Sequence, residues 1–108
     1  MLEITLTKVA NVILMARELD RAEGELRAFL ERLTEEEQTD LVALMWIGRG
    51  SFDADEFQEA RATAQSEATV PTPDYLIGTP HLPDHLESGL EELGLSALEE
   101  EDDLIRGG

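Results

Sequence analysis

Thr34-Glu-Glu-Glu-Gln-Thr-Asp40-Leu-Val-Ala-Leu-Met-Trp-Ile47-Gly-Arg-Gly50 is the stretch that decides the fold. Its first four residues spell a capping box. The Thr34 hydroxyl can accept the Glu37 amide while the Glu37 side chain reaches back to the Thr34 amide. Three glutamates in the first turn suit the positive end of a helix dipole. Leu41 to Ile47 are then apolar without interruption. A helix apolar on every side has to be covered on every side, so this one belongs at the centre of the fold or in an oligomer interface. The glycines at 48 and 50 supply its stop.

Helical signals continue on both sides. Ile4, Leu6, Val9, Val12, Ile13, Met15, Ala16 and Leu19 form a broad apolar stripe, which predicts a first helix over 6–21 with Thr5 as its cap. Gly24 reads as a break. Leu26, Phe29, Leu30 and Leu33 then follow i, i+3, i+4, i+7 spacing, which predicts a second helix over 25–33. Beyond Gly50, Asp53 and Glu56 make a second capping box, with Phe52 and Phe57 placed as a hydrophobic staple, so a fourth helix is expected from Asp53. Val70-Pro71-Thr72-Pro73 is a stiff connection to a short helix over 73–77. Gly78-Thr79-Pro80 reads as stop, cap and first residue of a last helix over 80–93, carrying Leu82, Leu86, Leu90 and Leu93. The expected fold is all-α: a compact single domain of five or six short helices over 1–95, with helices one and three central. An acidic, solvated tail is expected over 96–108.

Composition narrows the function classes. The chain has 108 residues, enough for one core. It carries 25 Asp+Glu against 8 Lys+Arg, a net charge of −17. Such a balance disfavours direct contact with nucleic acid or with an anionic membrane, since both bind through lysine and arginine. The acidity is polarised. Residues 1–50 hold 10 acids and 6 bases, a net of −4, and residues 51–108 hold 15 acids and 2 bases, a net of −13. There is no cysteine, which excludes disulfides and thiolate metal sites. No basic region precedes an apolar signal core, and no apolar run approaches the roughly 20 residues of a membrane span. A cytoplasmic protein is expected.

Several constellations invite a chemical reading. Residues 51–57 resemble the second half of a calcium-binding loop. With Glu56 at the last loop position, however, Met45, Ile47 and Arg49 fall where calcium requires oxygen ligands, so a capped helix junction is the better reading. Arg49, flanked by glycines, is placed either to hold an anionic ligand or to pair with Asp53 or Asp55, and the local pair is favoured. His81 and His85 are four apart beside Asp84 and Glu87, but Pro83 intervenes and no further histidine or cysteine completes a set. Met45 and Trp46 read as core or interface rather than as a ligand pocket. A terminal Arg106-Gly107-Gly108 resembles the tail of ubiquitin-like modifiers, whose β-grasp fold the helical pattern excludes. No catalytic set, cofactor or metal is expected.

Ala16-Arg17-Glu18, Asp40 to Gly50, Phe52-Asp53, Tyr75-Leu76 and Gly78-Thr79-Pro80 together resemble a family of small bacterial proteins known only as a domain of unknown function. The resemblance implies a bacterial cytosolic origin and leaves function open. The leading expectation is a non-enzymatic, acidic protein-interaction module, self-association included, with Trp46, Arg49, Asp53 and Tyr75 as candidate contact residues. Its alternatives are an acidic decoy of a nucleic-acid-binding protein, and a small-ligand binder or enzyme built on the Arg49 turn.

Overall fold

The computed structural model describes residues 2–67 and 69–95. The order among them is α1 (Leu6–Arg17), α2 (Leu19–Arg32), α3 (Glu35–Arg49), a 3-10 turn (Ala54–Glu56), α4 (Phe57–Ser66), α5 (Thr72–Ile77) and α6 (Leu82–Glu92). No strand occurs among the described residues. The fold is all-α, and its radius of gyration of 12.8 Å is close to the ~13 Å of one domain this size. The tail expected over 96–108, with its Arg-Gly-Gly ending, lies outside the described residues.

The capping box of α3 is formed in full. Glu37 N donates to Thr34 Oγ1 at 3.1 Å, and Thr34 N donates to Glu37 Oε1 at 3.0 Å. At the other end Gly50 adopts φ 90°, and the Ser51 amide closes onto the Trp46 carbonyl at 2.9 Å. Every residue from Leu41 to Ile47 is buried. Within the chain α6 covers the largest part of α3, with α4 and α5 on its other sides. The sequence reading gave the central place beside α3 to α1. The structure gives it to α6, and α1 packs against α2 and α6.

Two glycines explain that choice. A Cβ on Gly48 would stand 2.7 Å from the His85 carbonyl carbon and 2.8 Å from the Gly89 amide nitrogen, and closer still to the His85 carbonyl oxygen. A Cβ on Gly89 would lie 3.1 Å from the Leu44 carbonyl carbon. The two helices therefore meet backbone to backbone, where side chains usually hold axes 8–10 Å apart. Gly48, read from sequence as part of the stop, is a helical residue whose missing side chain admits α6.

Gly24 is the opposite case. The sequence reading breaks the chain there, but α2 runs through it and the break falls at Glu18, with φ −109° and ψ 37°. The Glu18 carbonyl opens α2 by accepting Arg21 N at 2.9 Å and Ala22 N at 2.8 Å. Leu19 thereby joins the same helical face as Leu26 and Leu30, and burial of that face outweighs a glycine penalty of about 1 kcal/mol. Nothing lies within 4 Å of a Cβ built on Gly24. Gly24→Ala is accordingly expected to stabilise the fold by about 1 kcal/mol, read as a higher urea midpoint at unchanged slope.

Two further boundaries move. The fourth helix starts as a 3-10 turn after Asp53 and becomes α-helical at Phe57. Glu56 Oε1 accepts the Asp53 amide at 2.8 Å, as the box requires. Phe52, assigned to the staple, stacks on Trp46 with centroids 5.7 Å apart. The last helix begins at Leu82 rather than Pro80. His81 precedes it at φ 60°, and Thr79 does not cap it but donates its hydroxyl back to the Tyr75 carbonyl at 2.8 Å.

A charged cluster fastens the N-terminal segment to α3 and α4. Asp40 is fully buried. Its Oδ2 accepts the amides of Glu3 and Ile4, the latter at 3.0 Å. Its Oδ1 stands 2.7 Å from Arg61 Nε as an ion pair, without the alignment of a hydrogen bond. Arg61 Nη2 donates to Glu36 Oε2 at 2.6 Å, and the guanidinium is held further above its ordinary value, chiefly by that bond. Lys8 Nζ meets Glu37 Oε2 at 2.7 Å.

The Glu37 carboxyl is held below its ordinary value of 4.5, first by the Lys8 hydrogen bond and then by the Thr34 amide. A depressed carboxylate contributes stability above its unfolded value and loses it as pH falls through the folded one. Glu37→Gln is therefore expected to be less stable than the parent at neutral pH. The gap should close as pH drops below about 4.5. Urea midpoints of the two proteins between pH 3 and 7 (about that range) check this.

Candidate functional site

Two of the four candidate contact residues meet. Trp46, from the last turn of α3, and Tyr75, from α5, are 29 positions apart, and Trp46 Nε1 donates to Tyr75 Oη at 2.9 Å. The indole is nearly buried, at 9% exposure, yet one edge lines a cleft of about 220 Å³. Val42, one turn before Trp46, lines it too, together with Ala64, Glu67 and Val70. A wider hollow of about 430 Å³ continues from it toward Glu35, Gln38 and Thr39, sharing Val42, Ala64, Val70 and Thr72. Together they make one groove between α3, the end of α4 and the start of α5. Val70 stands on its rim at 52% exposure, the one large apolar side chain so exposed among the described residues.

Arg49 and Asp53 sit elsewhere, on the turn between α3 and α4. Arg49 Nε donates to Ser51 Oγ at 3.1 Å. The pairing expected with Asp53 or Asp55 is not formed: among the described residues no carboxylate lies at ion-pair distance from Arg49. Gly50 in its left-handed conformation turns the chain after Arg49, and Asp53 is engaged through its amide with Glu56. Arg49 lines neither part of the groove, nor the third cleft, of about 210 Å³, between the α1–α2 break and residues 77–83.

Asp53, Asp55 and Glu56 bring one carboxylate oxygen each within 4.8 Å of the others. They are surface acids at a helix start. Met45 and Ile47, which a calcium loop would need as ligand positions, are buried inside α3. His81 and His85 approach edge to face, with ring centroids 6.4 Å apart. The His85 amide donates to the His81 carbonyl at 3.0 Å, closing the first turn of α6, but His81 itself is left-handed at φ 60° and so does not continue the helical face of His85. Among the described residues no third ligand joins them.

Sequence reasoning missed the groove and the buried Asp40. The groove needs Val42, Ala64 and Val70 from three segments, and no local pattern joins them. Asp40 had a fainter signal. It precedes the apolar run on the inner stripe of α3, and Arg61 is the only Lys or Arg between Ser51 and Leu95. A lone cation in so acidic a segment is a natural partner for a buried acid.

Comparison with known proteins places the chain. A family model described as a protein of unknown function, DUF3775, matches residues 23–95. The chain belongs to this family. The matched part holds most of α2 and all of α3 to α6, so it contains the groove, the Gly48–Gly89 contact and the Asp40–Arg61 pair. It leaves out α1 and Ala16-Arg17-Glu18. No curated protein and no solved structure matches the chain.

Proposed function

We propose that this chain is a non-enzymatic interaction module for a basic protein partner, working in the bacterial cytosol. One observation carries the reading: the balance and placement of charge. Of the seven basic side chains among the described residues, Lys8, Arg17, Arg27 and Arg61 are each committed to carboxylates of the same chain. Arg27, for example, is tied to Asp74, which holds its guanidinium above the ordinary value. Many carboxylates remain on the surface without a cation, and the summed field attracts a cationic partner and speeds its encounter. The setting is supported by the bacterial family resemblance and the absence of cysteine. No helix is long and apolar enough to cross a membrane among the described residues.

The apolar run of α3 is covered by α4, α5 and α6 within one chain, so it does not by itself require a second copy. Affinity purification from the native cell at moderate salt tests the reading. Recovery of a basic protein that elutes as salt rises is expected. Recovery of none sinks it. A decoy role would show in the same experiment as a nucleic-acid-binding partner displaced by added DNA.

A further inference from the structure

We propose that the groove over Val42, between the Trp46–Tyr75 pair and Val70, is the docking site for an extended basic segment of another protein that carries a bulky apolar anchor. The inference rests on the interaction-module reading and gives it a place and a ligand chemistry.

The part of the groove beside Trp46 is about 220 Å³ and the adjoining part about 430 Å³, which suits one anchor side chain in the first with flanking chain lying across the second. Val42, Ala64, Val70 and the two aromatic rings offer an aliphatic or aromatic anchor apolar contact in the first part, beside polar lining from Glu67, Thr69 and Thr72. Val70 at 52% exposure is apolar area that an occupant would cover.

Charge argues for the sign of the flanking residues. Among the described residues the charged side chains lining the groove are both carboxylates, Glu67 in the part beside Trp46 and Glu35 in the outer part, and no lysine, arginine or histidine lines either. An acidic or neutral segment would desolvate those carboxylates without compensation, whereas lysine or arginine on either side of the anchor would pair with them. Polar contacts are also at hand. Tyr75 Oη already accepts the indole proton, so its own hydroxyl proton is left to donate to a backbone carbonyl of the occupant. Thr39 and Thr72 line the outer groove, within reach of an extended backbone.

Trp46 is the sole tryptophan, so its emission reports on this groove directly. The probe is a blocked hexapeptide of alternating lysine and leucine, titrated while Trp46 emission and heat are followed. Saturable binding with a change in emission is expected. A lysine–alanine peptide and a glutamate–leucine peptide should each bind about tenfold more weakly or worse. Val70→Ser should weaken the lysine–leucine peptide several-fold without changing the melting temperature. Glu35→Gln with Glu67→Gln should weaken it and flatten its salt dependence. Equal binding of the lysine–leucine and lysine–alanine peptides, with emission unchanged, would overturn the groove while leaving the anionic module intact. Equal binding of the glutamate–leucine peptide would overturn the basic occupant. No binding of any peptide, by a chain that still captures a basic protein from the cell, would dismiss the groove alone. Failure of both experiments would dismiss both readings.

Discussion

Gly48→Ala is expected to cost about 3 kcal/mol and to lower the melting temperature by about 15 °C. Taken alone, the exchange should help, because alanine is favoured over glycine inside a helix by about 1 kcal/mol. Packing reverses the sign. The new methyl group would occupy the space of the α6 backbone at its 85-to-89 turn. A flexible side chain could swing aside, but a helix backbone moves only as a body. Separating α3 from α6 would loosen Leu44, Leu86 and Leu90, all essentially fully buried. Overpacking against side chains costs about 1–3 kcal/mol, and a backbone obstacle belongs at the upper end or beyond. Gly24→Ala is the internal control, since the same chemical change in open space on α2 should stabilise. Thermal melts of the two single variants, followed by circular dichroism, compare them directly. A Gly48→Ala protein as stable as the parent would mean that α3 and α6 do not meet through their backbones.

Arg61→Met should destabilise by about 3–5 kcal/mol, although the new side chain keeps an unbranched, flexible stem. Asp40 would remain fully buried with its charge and lose the guanidinium 2.7 Å away. The two backbone amides on Oδ2 compensate only part of that charge. The penalty arises from the orphaned acid rather than from the worth of the pair, and a second substitution separates the two. In Arg61→Met/Asp40→Asn the buried charge is gone while a carbonyl oxygen remains for the Glu3 and Ile4 amides, so much of the loss should return. A double-mutant cycle by urea unfolding measures this. Additive losses would show that Asp40 is not the buried, dependent partner described above. Elevated salt should change the cost of Arg61→Met little, because Asp40 is shielded from solvent.

The elements themselves were legible from short-range pattern. Both capping boxes were read from four-residue stretches, since a cap involves only residues three apart and its geometry is local. The central position of α3 followed from seven consecutive apolar residues, which no solvent-facing helix can carry. The misplaced boundaries were decided by contacts beyond the local stretch. Gly24, Gly48 and the Thr79-Pro80 pair each have a local preference that contacts elsewhere outweighed: burial of the α2 face at Gly24, the approach of α6 at Gly48, and the Thr79 hydroxyl bonded back to the Tyr75 carbonyl.

The candidate site was legible only in parts. Trp46 and Tyr75 were named, but nothing in the chain between them showed that one donates to the other, because a contact across 29 positions depends on how α5 lies on α3. Arg49 was expected beside Asp53 or Asp55 from proximity in sequence, yet the left-handed Gly50 turns the chain between them.

By itself the sequence determined the helical class, the approximate place of the helices, the burial of α3 and the anionic character, because periodicity, capping and charge are properties of neighbouring residues. Only the tertiary structure decided that α6 rather than α1 shares the centre with α3, that Asp40 is an interior charge answered by Arg61, and that Val42, Ala64, Val70 and Tyr75 close around one edge of Trp46. Those facts depend on the approach of whole helices. That approach is set by where side chains are missing, at Gly48 and Gly89, as much as by where they are present.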